Sequence, residues 1–139
     1  MFKDNIKLEE LSQFGKNSMQ EHLGIEFLEF GSDYIKAKMP VDHRTKQPFG
    51  ILHGGASVAL AETLGSLASA ATLDLNKKVC VGLEINANHI RSVSDGFVYG
   101  IARPFHIGSS TQVWEIKITD DQDRLVCVSR ITMMIIDRK

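Results

Sequence analysis

A chain of 139 residues with 16 lysines and arginines against 17 aspartates and glutamates carries a net charge of −1, and 43% of its residues are hydrophobic. That size and composition suit one globular core, so a single domain over residues 1–139 is expected. Neither sign of charge forms a long run, which argues against a nucleic-acid stripe or a polybasic membrane patch. No stretch reaches the ~18 apolar residues of a membrane span, and Met1-Phe2-Lys3-Asp4-Asn5 leads into a charged segment where a secretory leader would be apolar. A cytoplasmic protein is expected.

In the first twenty residues Leu8, Leu11, Phe14 and Met19 fall at helical spacing. They predict a short amphipathic helix with Glu9 and Glu10 on its wet side. From Ile25 the pattern turns to β runs, residues 25–30 and 34–39, separated by Gly31-Ser32-Asp33 and read as a hairpin. Residues 40–50 are polar and hold two of the three prolines, a loop that delivers the chain to His53. Residues 54–75 present Ala, Leu, Val, Gly and Ser on nearly every side of a helical wheel, which predicts a helix enclosed on most sides. Gly65 inside it costs about 1 kcal/mol relative to alanine, so close approach of another backbone is expected there.

Four strand-like runs follow: 79–90, 97–105, 111–119 and 125–136, broken at Ser94-Asp95-Gly96, His106 to Ser110 and Asp120 to Asp123. Short breaks between consecutive strands imply an antiparallel meander. One long apolar helix with about six strands implies an α+β layer whose sheet curls round the helix. Trp114 alternates with polar residues and is expected on a sheet face, while Cys80 and Cys127, single in apolar runs, read as reduced core residues.

The chemistry is concentrated at His53-Gly54-Gly55-Ala56-Ser57 and at Glu62, which shares the interval between Arg44 and Asp74 with only one other charged residue, Lys46. Two glycines opening a helix expose backbone N–H groups with no Cβ in the way, a setting that binds anionic oxygen. Offsets of three, four and seven residues put Ala59, Ser66 and Ser69 on the face of Glu62. That pairing suits acyl transfer; the residues alone equally fit a carboxylate that pairs with a partner subunit's arginine or caps a loop. Eight residues of helix separate Gly54 from Glu62 by ~12 Å, whereas a reacting carbonyl lies ~3 Å from both its nucleophile and its oxyanion donor. Two antiparallel copies satisfy that demand and one helix does not, so a homodimer is expected whose site joins Gly54 of one chain to Glu62 of the other.

Other constellations are weaker. Ser57 with Asp95 and His106 has the chain order of an α/β-hydrolase triad without the alternating βα units that fold needs. The glycine pair lacks the lysine and spacing of a phosphate loop. Histidines at 22, 43, 53, 89 and 106 show no metal-ligand spacing, so no metal site is expected. His53, beside the helix start, is the foremost functional histidine. Gly108-Ser109-Ser110 reads first as an ordinary hairpin turn, though its N–H groups and hydroxyls suit a phosphate or pantetheine amide, with Arg91 and Arg103 the nearest cations in sequence.

Gln47 to Ser57, then Leu60-Ala61-Glu62, then Gly82 to His89, resemble the hotdog-fold acyl-CoA thioesterases across nearly the whole chain. The likeness is greatest to the branch holding the 1,4-dihydroxy-2-naphthoyl-CoA hydrolases of menaquinone synthesis and the proofreading thioesterases of enterobactin synthesis. It implies a long helix wrapped by an antiparallel sheet, assembled as a dimer, usually a dimer of dimers. It also implies Glu62 as catalytic carboxylate, Gly54 as oxyanion donor, Gln47 and His53 orienting the carbonyl, and Ser66 assisting. Gly82, His89, Arg91, Ser92, His106, Gly108, Ser109 and Ser110 correspond to coenzyme A contacts. The implied reaction is hydrolysis of an acyl-CoA, aromatic by preference, with no cofactor beyond the coenzyme A of the substrate. Carrier-protein thioesters, acyl-CoA binding without turnover, and a hydratase or dehydratase reaction that forms or dehydrates β-hydroxyacyl thioesters are the alternatives.

Overall fold

The computed structural model describes residues 1–3 and 6–139; Asp4 and Asn5 of the polar N-terminal segment lie outside the described residues. The elements are α1 (Leu8–Phe14), α2 (Met19–His22), β1 (Glu26–Phe30), β2 (Ile35–Pro40), α3 (Gly54–Ala71), β3 (Lys78–His89), β4 (Phe97–Ile107), β5 (Thr111–Asp120) and β6 (Leu125–Asp137). The strands form one antiparallel sheet in the order β1-β2-β4-β5-β6-β3, and α3 packs on one of its faces. This is the hotdog arrangement expected from the sequence.

Period-2 alternation decides which side chains meet α3. Ile35, Ala37 and Met39 of β2, Val98 and Ala102 of β4, Trp114, Ile116 and Ile118 of β5, and Ile131 and Met133 of β6 are buried beneath Leu60, Leu64 and Ala68. Contact is close enough to need glycine at two points. A Cβ on Gly65 would lie 2.5 Å from Ile131 Cγ2, and one on Gly100 would lie 2.6 Å from Leu64 Cδ1. The neighbour at Gly65 is therefore a strand side chain, not the second backbone expected from the sequence.

A run of buried and half-buried hydrogen bonds ties the C-terminal end of α3 to β5. Trp114 Nε1 donates to Gln112 Oε1 (2.9 Å), Gln112 Nε2 to Thr72 Oγ1 (2.8 Å), and Thr72 Oγ1 to the Ser69 carbonyl (2.8 Å). Such a chain lets polar groups enter the core without an unmet donor.

Three features depart from the sequence reading. The helix stops at Ala71, with Thr72 as C-cap, where the apolar run suggested Leu75. The first twenty residues make two short helices, because Asn17 adopts a positive φ of 62° that no continuous helix allows. His106 and Ile107 belong to β4, and the turn begins at Gly108. Cys127 is buried, and burial pushes its thiol up from its ordinary value, as suits an inert core cysteine. Cys80 is only half-buried.

Candidate active site

The loop from Val41 to Leu52 fixes the start of α3. Buried Thr45 donates its hydroxyl to the Pro40 carbonyl (2.7 Å) and accepts from the Asp42 N–H (3.1 Å). Its own carbonyl accepts from the His53 N–H (2.8 Å). Arg44 folds back onto Asp42 at 2.7 Å, and this guanidinium hydrogen bond, helped by the Arg44 backbone N–H, holds the Asp42 carboxyl down from its usual 3.8 to about 2.

His53 is the N-cap of α3, with extended backbone (φ −69°, ψ 130°). Its Nδ1 accepts from the Gly55 N–H at 2.8 Å, so in the neutral ring the proton sits on Nε2, available to donate outward. Its carbonyl takes the N–H groups of Ala56 (2.9 Å) and Ser57 (3.3 Å). Of the first four N–H groups of the helix, that of Gly54 alone has no acceptor among the described residues. It is the free donor at the positive end of an eighteen-residue helix.

Around that donor lies a cavity of about 320 Å³ lined by Gln47, Gly54, Ser57, His89, Arg91 and Ser92, among others. His89 packs so tightly on the helix start that a Cβ at Gly54 would come within 2.8 Å of its Nε2. Gln47 Oε1 accepts from the Phe49 N–H of its own turn, which leaves its NH₂ as the outward-facing donor. Arg91 has no ion-pair partner among the described residues, unlike Arg44 and Arg103, which pair with Asp42 and Asp33.

Glu62 sits elsewhere. It lines a cleft of about 650 Å³ with Val58, Ala59, Ser66, Leu67 and Cys80 on one side and Leu11, Phe14, Met19 and Leu23 on the other. Its carboxylate is exposed and has no hydrogen-bond partner among the described residues. Gly82 lets it approach β3, since a Cβ there would be 3.0 Å from Glu62 Oε2. Ser66 faces the same cleft and its carbonyl accepts the Cys80 thiol (3.7 Å). Ser69, placed on the Glu62 face by the wheel, is instead wholly buried, with its hydroxyl unpartnered.

The residues read together from sequence thus fall into three groups. Gln47, His53, Gly54, His89, Arg91 and Ser92 surround the helix start; Glu62 and Ser66 lie roughly 12 and 18 Å further along the helix by a rise of ~1.5 Å per residue, with Gly82 of β3 beside Glu62. His106, Gly108, Ser109 and Ser110 form the third group, at the β4–β5 turn. The Ile135 N–H donates to the Ser110 carbonyl (2.8 Å), while His89 pairs with Cys127 on the same strand β6. Eight residues of β6 therefore separate that turn from His89, about 26 Å at a strand's rise. Gly82 lies beside the Glu62 carboxylate. His106 lies in β4 at a bulge, its ring over Gly108, and not in the turn itself. Ser57 is buried, which removes the nucleophile-elbow reading.

Sequence reasoning missed the cleft's outer wall. Leu11, Phe14 and Met19 were legible only as a helix covering some face and Cys80 only as core, while Leu23 drew no reading. Large exposure of Phe14 (84%) and Met19 (64%), on two separate short helices beside buried Leu11, is the signal of a lining, and it appears only in three dimensions.

The profile of the thioesterase superfamily matches residues 49–127, more than half of the chain. The chain belongs to the thioesterase superfamily. It is 52% identical over 136 residues to the 1,4-dihydroxy-2-naphthoyl-CoA hydrolase of Escherichia coli K12, covering 98% of this chain and 99% of that one. It is 50% identical over 132 residues to the proofreading thioesterase EntH of Cronobacter turicensis, covering 95% and 96%. The crystal structure of a thioesterase from Haemophilus influenzae superposes with a TM-score of 0.95 at 53% identity, covering 98% of this chain and 94% of that one. This thioesterase is accordingly a hydrolase of thioesters on a hotdog fold, and none of its described helices is long and apolar enough to cross a membrane.

Proposed function

We propose that this thioesterase hydrolyses an acyl-CoA with an aromatic acyl group, 1,4-dihydroxy-2-naphthoyl-CoA foremost, at a site completed by a second copy of the chain. The observation that carries the reading is the division of the polar groups: a free N–H with its donors in one cavity, and a lone carboxylate beside an apolar cleft in another. The E. coli relative supports the choice of acyl group.

In this reading the thioester carbonyl oxygen rests on the Gly54 N–H of one protomer, braced by the Gln47 NH₂ and His53 Nε2–H. Charge that develops on that oxygen is held by groups already oriented, which needs little reorganisation. Glu62 of the partner approaches the carbonyl carbon from the other side. It either takes a proton from the attacking water or adds to the carbon itself, giving an anhydride that water then opens. Both routes break the C–S bond and release the free acid and the thiol, with the proton from water ending on sulfur. Ser66 assists at the carboxylate.

Strand β3 supports a two-chain site. It is a twelve-residue edge strand with Val81 (43%) and Leu83 (53%) exposed, and its neighbour Glu62 would lie at any junction made along it. An unpaired edge of that length is a template for a second strand. His89, Arg91 and Ser92 on one side, and His106 with Gly108 to Ser110 on the other, then meet one coenzyme A only from different subunits, in a dimer or dimer of dimers.

The test is thiol release from benzoyl-CoA, 1,4-dihydroxy-2-naphthoyl-CoA, acetyl-CoA and an aryl-loaded carrier protein, with Glu62→Ala in parallel. Fastest release from the naphthoyl ester, abolished in the variant, is expected. Preference for the loaded carrier would move the assignment to proofreading, the role named for the Cronobacter relative. Binding without release would make the protein a carrier of acyl-CoA and end the proposal.

A further inference from the structure

Two of the donors assigned to the thioester carbonyl, Gln47 and His53, stand on the loop that leads into α3, and a loop aims a side chain only as well as it is tied down. Backbone bonds fasten its ends, from the Val41 N–H to the Gly96 carbonyl (2.8 Å) and from the Leu52 N–H to the Val93 carbonyl (2.7 Å). Between them Lys46 and Leu52 form an isolated antiparallel bridge, within which the Gln47 N–H donates to the Ile51 carbonyl (2.9 Å). Gln47 thus rides on a small hairpin, and the residue at its base is Thr45.

Thr45 is only 2% exposed, although threonine is mostly a surface residue. Its hydroxyl is used twice on backbone, donating to the Pro40 carbonyl of β2 (2.7 Å) and accepting from the Asp42 N–H (3.1 Å). Its main chain is used twice more: the N–H donates to the Asp42 carbonyl (3.0 Å), and the carbonyl accepts from the N–H of His53, the N-cap of α3 (2.8 Å). One buried residue therefore joins strand β2, the turn at Asp42, the Gln47 hairpin and the helix start.

We propose that Thr45 is a positioning residue of this thioesterase: without touching substrate, its hydroxyl sets where the Gln47 NH₂, the His53 Nε2–H and the Gly54 N–H meet the carbonyl oxygen. The inference rests on those three groups being the oxyanion donors, as set out above. Loss of the hydroxyl leaves the Pro40 carbonyl and the Asp42 N–H without this partner, so the turn shifts to find them others. Donors aimed at charge that develops in the transition state then miss it, and the loss falls on kcat more than on KM.

Steady-state hydrolysis of benzoyl-CoA and 1,4-dihydroxy-2-naphthoyl-CoA is compared for Thr45→Val, which keeps the volume without the hydroxyl, and Thr45→Ser, which keeps the hydroxyl. Circular dichroism melting sets a temperature at which every variant is folded. Thr45→Val should lower kcat about tenfold with KM within about twofold, a fraction of the roughly hundredfold cost of a 1 Å misplacement. Thr45→Ser should restore kcat to within about twofold of wild type. In a His53→Ala background Thr45→Val should cost less than it does alone, because both changes act at one oxygen. Wild-type kcat in folded Thr45→Val, a loss confined to KM, or the same loss in both backgrounds would overturn the inference and, with His53→Ala itself slow, leave the proposed function standing. Wild-type kcat in His53→Ala would overturn the assignment of the donors as well. If Thr45→Val does not fold, Thr45→Cys takes its place, its thiol being a weak donor and acceptor, with a smaller fall in kcat expected and an unchanged kcat overturning the inference. Neither variant folding would give the hydroxyl to the fold alone and overturn it too.

Discussion

Along α3 the side toward the sheet is made of Leu60, Leu64 and Ala68, fully buried, whereas the side turned away carries Ala59, Glu62, Ser66 and Ala70 into an open cleft. One helix thus serves both as the core's centre and as the floor of the site. The sheet-facing side tolerates almost no change in volume, since even a methyl at Gly65 meets Ile131. The cleft side leaves the Glu62 carboxylate without a partner among the described residues, a state that contributes nothing to folding and is useful only for chemistry. Stability and activity should therefore separate cleanly between substitutions made two residues apart.

The largest effects should show that separation most plainly. Glu62→Ala is expected to lower kcat by roughly 10²–10⁴, the range for removal of an acid–base group, with its melting temperature unchanged. Leu64→Ala, two residues on, is expected to cost roughly 2–5 kcal/mol of stability by denaturant titration, as for a buried leucine. Glu62→Ala melting like Leu64→Ala would break the comparison. Next, Gly65→Ala should destabilise by about 1–3 kcal/mol through overpacking despite its better helix propensity, measured by the same titration. Gly82→Ala tests the other face: its Cβ presses on the Glu62 carboxylate, so steady-state kinetics should show kcat reduced about tenfold with a normal melting curve.

The smallest expected effect lies in the loop that leads to His53. Asp42 has its pKa held near 2, below the ordinary 3.8, by Arg44. A carboxylate depressed on folding contributes stability above the unfolded value and loses it as pH falls through the folded one. Wild type should thus exceed Asp42→Asn in stability above pH ~4, and the gap should close between about 4 and 2. The partial exposure of this pair keeps the effect small. A gap that persisted below pH 2 would assign it to packing.

Much of this was legible in the sequence because the signals were local. The apolar alternation of residues 111–119 and 125–136 fixes which side chains meet α3, and the small residues around Glu62 announce an enclosed helix. The helix end was misread because Leu73 and Leu75 are apolar: they line a surface cavity of about 600 Å³, not the core, and periodicity does not distinguish the two. Ser69 and Ser66 lie three residues apart on one wheel, yet one is buried and the other faces the cleft, a difference that helical spacing does not carry. The distance between Gly54 and Glu62 followed from helix rise alone. The wall of Phe14 and Met19 did not, because it depends on where two short helices fold back.

The central claim is that Gly54 and Glu62 act together only across two chains, and mixed oligomers test it directly. Glu62→Ala and Gly54→Val, each inactive alone, are unfolded together and refolded as a mixture. In a two-fold dimer each mixed pair then contains one site with neither substitution, so about a quarter of wild-type thioesterase activity should return. Activity that stays at the level of the separate variants, with mixed dimers demonstrated by mass, would mean that each chain carries its own complete site.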